Sequence, residues 1–301
     1  MIGILLMAYG AAADLEDLPR YYTHIRHGHP PSPEQLQNLT DRYRAIGGHS
    51  PLLEITEAEA HALSLRLNQD EPGAYKVYLG LKHAAPFISD GIEAMVQDGV
   101  TEAVGVVLAP HYSRLSVGDY LAEVDAARDR MAADFLWHGV KHWHTEPLLI
   151  EALSHRIESA LKKFGSEPSI VIFTAHSLPQ SILKDADPYP RQLRETGEAV
   201  AEYLALPEYT FSWQSAGRTR EPWMGPDILD KMAQLASEGW VNQLVCPVGF
   251  VSDHLEILYD LDIEAQKHAE ALGVHLERTA LFNADPDLTE ILAQVVFGAL
   301  S

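Results

Sequence analysis

Glu256, Asp260 and Glu264 stand four residues apart in the stretch Val248–Glu264, after an apolar run, Leu244 to Val248, and a turn that contains Gly249. In a helix, four-residue spacing stacks side chains on one face, about one turn apart. Three carboxylates placed this way repel one another by roughly a few tenths of a kcal/mol per exposed pair, where a stabilising pattern would supply a Lys or Arg. On spacing alone two readings stay open. One is a solvated helix face in an acidic protein. The other is a path for a hard divalent cation, because oxygen ligands suit such ions.

His176 directly follows a second apolar run, Ser169 to Thr174, and precedes Ser177-Leu178-Pro179. An imidazole there can be a base, a metal ligand or a structural hydrogen-bonder. Placed at the equivalent strand end to the carboxylate row, it forms with Glu256 a pair able to hold a divalent ion and accept protons. Tyr9 ends the first apolar run, Ile2 to Met7. It is either a packed tyrosine with a bonded hydroxyl or a hydroxyl facing a ligand or metal. Tyr21-Tyr22-Thr23-His24-Ile25-Arg26-His27-Gly28-His29 mixes aromatics with cationic groups. Three histidines bring zinc to mind, but no cysteine accompanies them and Gly28 breaks the helix. A lip around a planar anionic ligand fits better. Arg42-Tyr43 and Ser50-Pro51 either extend that lip or form a surface helix and its loop. His142 and His144 alternate, as on a solvated strand face.

Composition narrows the field. The chain has 301 residues, 47% hydrophobic and 22% charged, as in a globular protein of two domains. A formal net charge of -21 argues against nucleic acid or anionic lipid as a partner. One cysteine, Cys246, excludes an internal disulfide and a cysteine-based zinc or iron–sulfur site. No signal peptide or transmembrane run is visible, so a cytoplasmic location is expected. GxGxxG, GxxxxGK[ST] and GxSxG are all absent, which counts against nucleotide and serine-hydrolase chemistry.

The elements that must position these residues alternate. Apolar runs over 2–7, 75–81, 103–108, 169–174, 209–214 and 244–248 read as strands, with a further strand over 140–144 and a last one over 274–278. Helical stretches separate them, including 15–26, 33–46, 56–67, 117–131, 147–164 and 287–299. Alternation of this kind predicts a parallel α/β fold. Similar strand-end segments in the two halves, Ala8-Tyr9-Gly10 and Ala175-His176-Ser177, predict two similar Rossmann-like domains, parallel sheets flanked by helices, over residues 1–146 and 147–301. Ligands in such sheets bind beyond the carboxyl ends of the strands. A cleft between the halves would gather Tyr9, Lys82, His83, His111, Tyr112, His176, Trp213, Gln214, Phe250, His254 and Glu256.

With these residues assembled, the chain resembles the ferrochelatase family, most closely its short coproporphyrin III enzymes from Gram-positive bacteria. The matching stretches are Leu6-Met-Ala-Tyr9-Gly10, Arg20–Arg26, Asp41–Pro51, Gly80-Leu-Lys82-His83, Ala175-His176-Ser-Leu-Pro179, Asp187-Pro-Tyr189-Pro, Trp213-Gln214-Ser215 and Pro247–Glu256. They span nearly the whole chain in order. The resemblance implies insertion of Fe(II), as substrate, into a porphyrin in haem biosynthesis, most simply coproporphyrin III. Protoporphyrin IX and other tetrapyrrole chelatases are the alternatives, and a cytosolic haem or porphyrin carrier is the alternative of another class. It implies that His176 and Glu256 bind iron and take pyrrole protons. It places Tyr9 across the ring, axial to the product iron. Arg26, Arg42, Tyr43, Ser50 and Tyr120 would hold propionates or line the pocket, and Asp260 and Glu264 would form an ion path or hold Mg. It also implies a monomer with no tightly bound cofactor, transient docking to the next enzyme of the haem pathway, and a lyase classification. Two departures stand out. His27 occupies a place where many relatives carry a second basic residue beside Arg26. The chain also ends at Ser301 without the cysteine-bearing extension of animal enzymes, so no iron–sulfur cluster is expected.

Overall fold

A computed structural model describes residues 1–217, 219 and 221–301. The first half runs β1 (Ile2–Ala8), α1 (Leu18–Ile25), α2 (Pro33–Ala45), α3 (Leu52–Leu67), β2 (Tyr75–Leu81), α4 (Ile88–Gln97), β3 (Glu102–Val107), α5 (Val117–Met131) and β4 (Leu136–Gly139). The second half runs α6 (Pro147–Leu161), β5 (Ile170–His176), α7 (Tyr189–Leu204), β6 (Tyr209–Gln214), α8 (Ile228–Ser237) and β7 (Asn242–Cys246). A π-helical segment, Ile257–Ala265, then leads into α9 (Gln266–Leu272), β8 (His275–Arg278) and α10 (Pro286–Leu300).

Each half builds one four-stranded, all-parallel sheet, ordered β2-β1-β3-β4 and β6-β5-β7-β8. The orders are identical once the halves are overlaid in sequence. Both are the two similar Rossmann-like units expected. In each sheet the central strands are apolar on both faces: β1, β3, β5 and β7 are almost wholly buried, as helices on both sides require. The chain leaves β1 toward one side of the sheet and β3 toward the other, and β5 and β7 repeat this. Such a reversal opens a crevice beyond the strand ends.

The halves share a core. Leu6, Val104 and Val106 of the first sheet belong to one apolar cluster with Leu153, Phe173 and Leu244 of the second half. The last helix, α10, crosses back and packs on α3 and β3, placing Ile291, Leu292 and Val296 in that same cluster. Among the described residues no helix is long and apolar enough to cross a membrane.

Four expectations need correction. The strand expected over 140–144 is Leu136–Gly139, which pairs with Glu102–Gly105. Beyond Gly139 the chain turns inward, because Trp143 is buried and its indole N–H donates to the Val107 carbonyl at 3.0 Å. His144 is accordingly buried against Glu195 at 2.8 Å, and is not on a solvated strand face. The first helix begins at Leu18 rather than residue 15, with Pro19 in its first turn, where a missing N–H costs nothing. Asp260 and Glu264 lie on a π-helix capped by Glu256, not on an α-helix. Hydrophobic periodicity cannot reveal i→i+5 bonding, which is rare and found mostly at functional sites.

Candidate active site

The carboxyl ends of the strands open into a cleft of about 360 Å³ between the two lobes. Tyr9, Tyr43, Ser50 and Tyr120 line it from the first lobe, and His176 and Glu256 from the second.

His176 is the last residue of β5, where the buried run Ile170–Ala175 reaches the sheet edge. Its Nδ1 bonds to the Ser177 carbonyl. A carbonyl can only accept, so Nδ1 carries the proton and Nε2 is left to face outward. The Tyr189 hydroxyl donates to the His176 carbonyl at 3.1 Å, and the Ser177 N–H donates to the Gln214 carbonyl at 2.7 Å. The imidazole is thus held from both sides.

Glu256 reaches it from the loop that follows β7. Gly249 is what lets that loop pass: a Cβ at residue 249 would lie 2.5 Å from the Ala175 Cβ and 2.8 Å from its Cα. The loop therefore crosses directly over the residue before His176. Glu256 Oε1 ends 3.4 Å from His176 Nε2, and Oε2 lies 3.5 Å from His254 Nε2. Each member of the His176–Glu256 pair exposes 31% of its side chain, into the cleft. Burial pushes the imidazole pKa down, but the Glu256 carboxylate outweighs it and raises His176 to about 9. Burial likewise pushes Glu256 up, and His176 and His254 more than reverse this, holding it well below the usual carboxylate range. At neutral pH the histidine is therefore the imidazolium, with protons on both Nδ1 and Nε2, and Glu256 is the carboxylate.

Trp223 and Phe250 wall this pair, with ring centroids 6.2 and 6.4 Å from that of His176. Across the cleft, Tyr9 exposes 44% of its surface. Desolvation within the cleft and the Glu256 charge both raise its hydroxyl pKa, so it stays protonated. Tyr43 is buried, its hydroxyl accepting from the Ala12 N–H at 3.3 Å. Ser50 is buried with its Oγ accepting from Leu52 N–H at 3.4 Å. Tyr120 is buried beneath Lys82, whose Nζ sits 5.1 Å from the ring centroid.

The arginines are placed differently. Arg26 is not among the residues that line the cleft; its Nε donates to the His29 carbonyl at 3.2 Å and its guanidinium lies 5.8 Å from the Tyr22 ring. Arg42 is turned away from the cleft: it pairs with Asp260 and lies 4.8 Å from the Tyr259 ring. Of the acidic row, Asp260 is buried, bonded to Arg42 and to the Ser215 hydroxyl, whereas Glu264 is exposed. Burial raises Asp260 to about 6; Arg42 opposes this, and Glu256 and Glu264 add to it. The row is therefore electrostatically continuous. Its donors do not fit a resident divalent ion as they stand: among the described residues no three His, Cys, Asp or Glu side chains converge on a metal position, and Asp260 already has two partners. Nor do the lip histidines converge. His24 Nδ1 lies 3.0 Å from His83 Nδ1, and His27 and His29 are exposed.

One lining residue carries no sequence signal: Trp223 lies between the proline and glycine of a loop, and nothing local marks it. Lys82 and His254, expected in the cleft from their places at strand ends, do line it.

The comparisons with known proteins agree with this geometry. The family model described as Ferrochelatase matches residues 1–300. The chain is 45% identical to the coproporphyrin III ferrochelatase of Geobacillus thermodenitrificans, covering 100% of this chain and 96% of that one. It is 43% identical to the coproporphyrin III ferrochelatase of Listeria monocytogenes, covering 98% and 97%. It is 42% identical to the ferrochelatase of Herpetosiphon aurantiacus, covering 98% of each. Among solved structures, SirB from Bacillus subtilis with Fe3+ shares the fold at a TM-score of 0.59 and 14% identity, over 99% of this chain and 95% of that one. Two lobes of the same strand order, an inter-lobe cleft, and sequence similarity over the full length lead to one conclusion: the chain belongs to the ferrochelatase family.

Proposed function

We propose that the protein inserts Fe(II) into coproporphyrin III, in haem synthesis, with His176 and Glu256 as the metal and proton pair. The observation that carries this reading is the pair itself, set in an aromatic cleft with His176 Nε2 and Glu256 Oε1 3.4 Å apart. Supporting it, relatives across nearly the full length carry the name coproporphyrin III ferrochelatase.

The reaction must exchange two pyrrole N–H protons for a dication. At rest, His176 and Glu256 hold a proton where the metal must sit. Arriving Fe(II) displaces that proton to solvent and takes Nε2 and a carboxylate oxygen. Two protein ligands, with water completing the shell, hold a hard or borderline ion loosely enough to release it. When the metal passes to the ring, Nε2 is free again and takes one pyrrole proton. Glu256 takes the other, and Asp260, whose pKa is raised to about 6, leads it outward. The aromatic walls and Tyr9 hold the macrocycle facing this pair. Lys82 in the cleft lining, with Arg26 outside it, supplies cations for propionates. Binding energy gained there offsets ring distortion worth roughly 1–5 kcal/mol. Arg42 acts on Asp260 rather than on a propionate, and Glu264 forms the outer end of the row. The protein acts as a cytoplasmic, lyase-type chelatase, with Fe(II) as its substrate and no step routed through a resident ion.

The test is anaerobic turnover with Fe(II) and either coproporphyrin III or protoporphyrin IX, followed by loss of porphyrin fluorescence. Many turnovers with coproporphyrin and few with protoporphyrin are expected. Quenching that stops at one equivalent, even with a haem acceptor present, would make the protein a carrier.

A further inference from the structure

The loop that carries Glu256 is held from two directions. On the second lobe, Asn283 N–H donates to the Val251 carbonyl at 2.9 Å, and Asp253 bonds to Asn283 and to Arg278. On the first lobe the partner is Glu59, midway along α3. It is 2% exposed, and its Oε1 accepts from the Ser252 hydroxyl. Among the described residues no other first-lobe side chain hydrogen-bonds this loop. From Ser252 the connection continues inward. The Ser252 carbonyl accepts from His254 Nδ1 at 2.9 Å, which turns His254 Nε2 toward Glu256 Oε2 at 3.5 Å.

Resting on the chelatase reading above, we propose that Glu59 is a positioning residue of the insertion reaction, locking the first lobe to the Ser252–His254 segment and so setting Glu256 against His176.

A buried acid is a costly choice for a structural bond, since Oε2 has no partner. Among the described residues no cation compensates it. On α10, Asp285 faces it and repels its charge, while Arg156 of α6 is engaged with Asp285 and Asp287. On the loop, Asp253 is matched by Arg278. Desolvation therefore raises Glu59 to about 8, against the smaller opposing effect of the Ser252 bond. At neutral pH the group is an uncharged acid that fits its site. Above that range it becomes an unpaired buried anion beside Asp285, and the brace on the loop loosens. The positioning role thus has a pH signature that a packing role lacks.

The experiment compares wild type, Glu59→Ala and Glu59→Gln in anaerobic turnover with Fe(II) and saturating coproporphyrin III, alongside porphyrin binding by fluorescence quenching. In Glu59→Ala, kcat should fall about ten- to a hundredfold with porphyrin affinity nearly intact, because loosened geometry costs rate rather than binding. Glu59→Gln should restore most of that loss. Wild-type kcat should decline as pH rises through about 8, and Glu59→Gln should lack that decline. A wild-type kcat in Glu59→Ala, or the same alkaline decline in Glu59→Gln, would overturn the proposal. Should Glu59→Ala fail to fold, the Glu59→Gln profile decides alone. Absence of turnover in the wild type itself would instead refute the chelatase reading.

Discussion

Under the proposed function two side chains carry the chemistry, and each sets the other's charge. Glu256 raises His176, and His176 with His254 lowers Glu256. Metal binding must then compete with the proton on Nε2. The sign follows directly. Below a pKa of about 9 the imidazole is protonated, so apparent affinity for a divalent ion rises with pH, about tenfold per unit, and levels off above it. In Glu256→Gln the raising charge is gone while burial remains, so His176 falls below its present value. The plateau should then be reached at lower pH, with weaker binding at the plateau. Metal titrations across pH, read by quenching with Co(II) or by calorimetry, check this. An unshifted profile would mean that Glu256 does not govern His176. Much of this was legible beforehand: both residues sit at strand ends in distinctive segments. What was not legible is the direction of Arg42. Its neighbours marked it for the cleft, and only the fold shows it bound to Asp260, a residue more than two hundred positions away. Glu59 gave no signal either, because a glutamate in an Ala- and Glu-rich helix looks like a solvated one.

Among the elements, the β7 loop matters most, and its path depends on one missing Cβ. Gly249→Ala would set a methyl 2.8 Å from the Ala175 Cα, which is backbone and cannot swing away. The loop must lift, and Glu256 must move with it. The expected outcome is a loss of kcat of about a hundredfold, as for misplacement by about 1 Å. Overall stability should fall by about 1–3 kcal/mol, the cost of forcing extra atoms into a packed site. Rates and urea unfolding measured together check this; full activity would show that the loop accommodates. The strands and most helices were readable from apolar runs and their Gly and Pro punctuation. Two features were not. The edge strand β4 is short and only half buried, so its pattern slid by four residues toward Trp143. The π-helix reads as an α-helix in any sequence, since its widened turns leave no mark on hydrophobic spacing.

At the scale of the whole molecule, the two lobes divide the work. The first supplies most of the surface that would grip a porphyrin: Tyr9, Tyr43, Ser50, Lys82 and Tyr120. The second supplies His176 and Glu256, the pair to which the proposed reaction is assigned. The shared core and the return of α10 onto α3 hold the lobes at the separation the cleft requires. This division was foreseeable from the similarity of the halves, but the crossing by α10 was not, because a closing helix carries no sign of which lobe it will cover. Binding and chemistry should therefore come apart under mutation. The most direct measurement is made on His176→Ala, comparing porphyrin affinity by fluorescence quenching with the single-turnover rate of Fe(II) insertion under anaerobic conditions. The account predicts porphyrin affinity within about twofold of wild type and a rate lowered by about 10²–10⁴, the range for loss of a positioned proton acceptor. Lost porphyrin binding with a normal insertion rate in the bound fraction would contradict it.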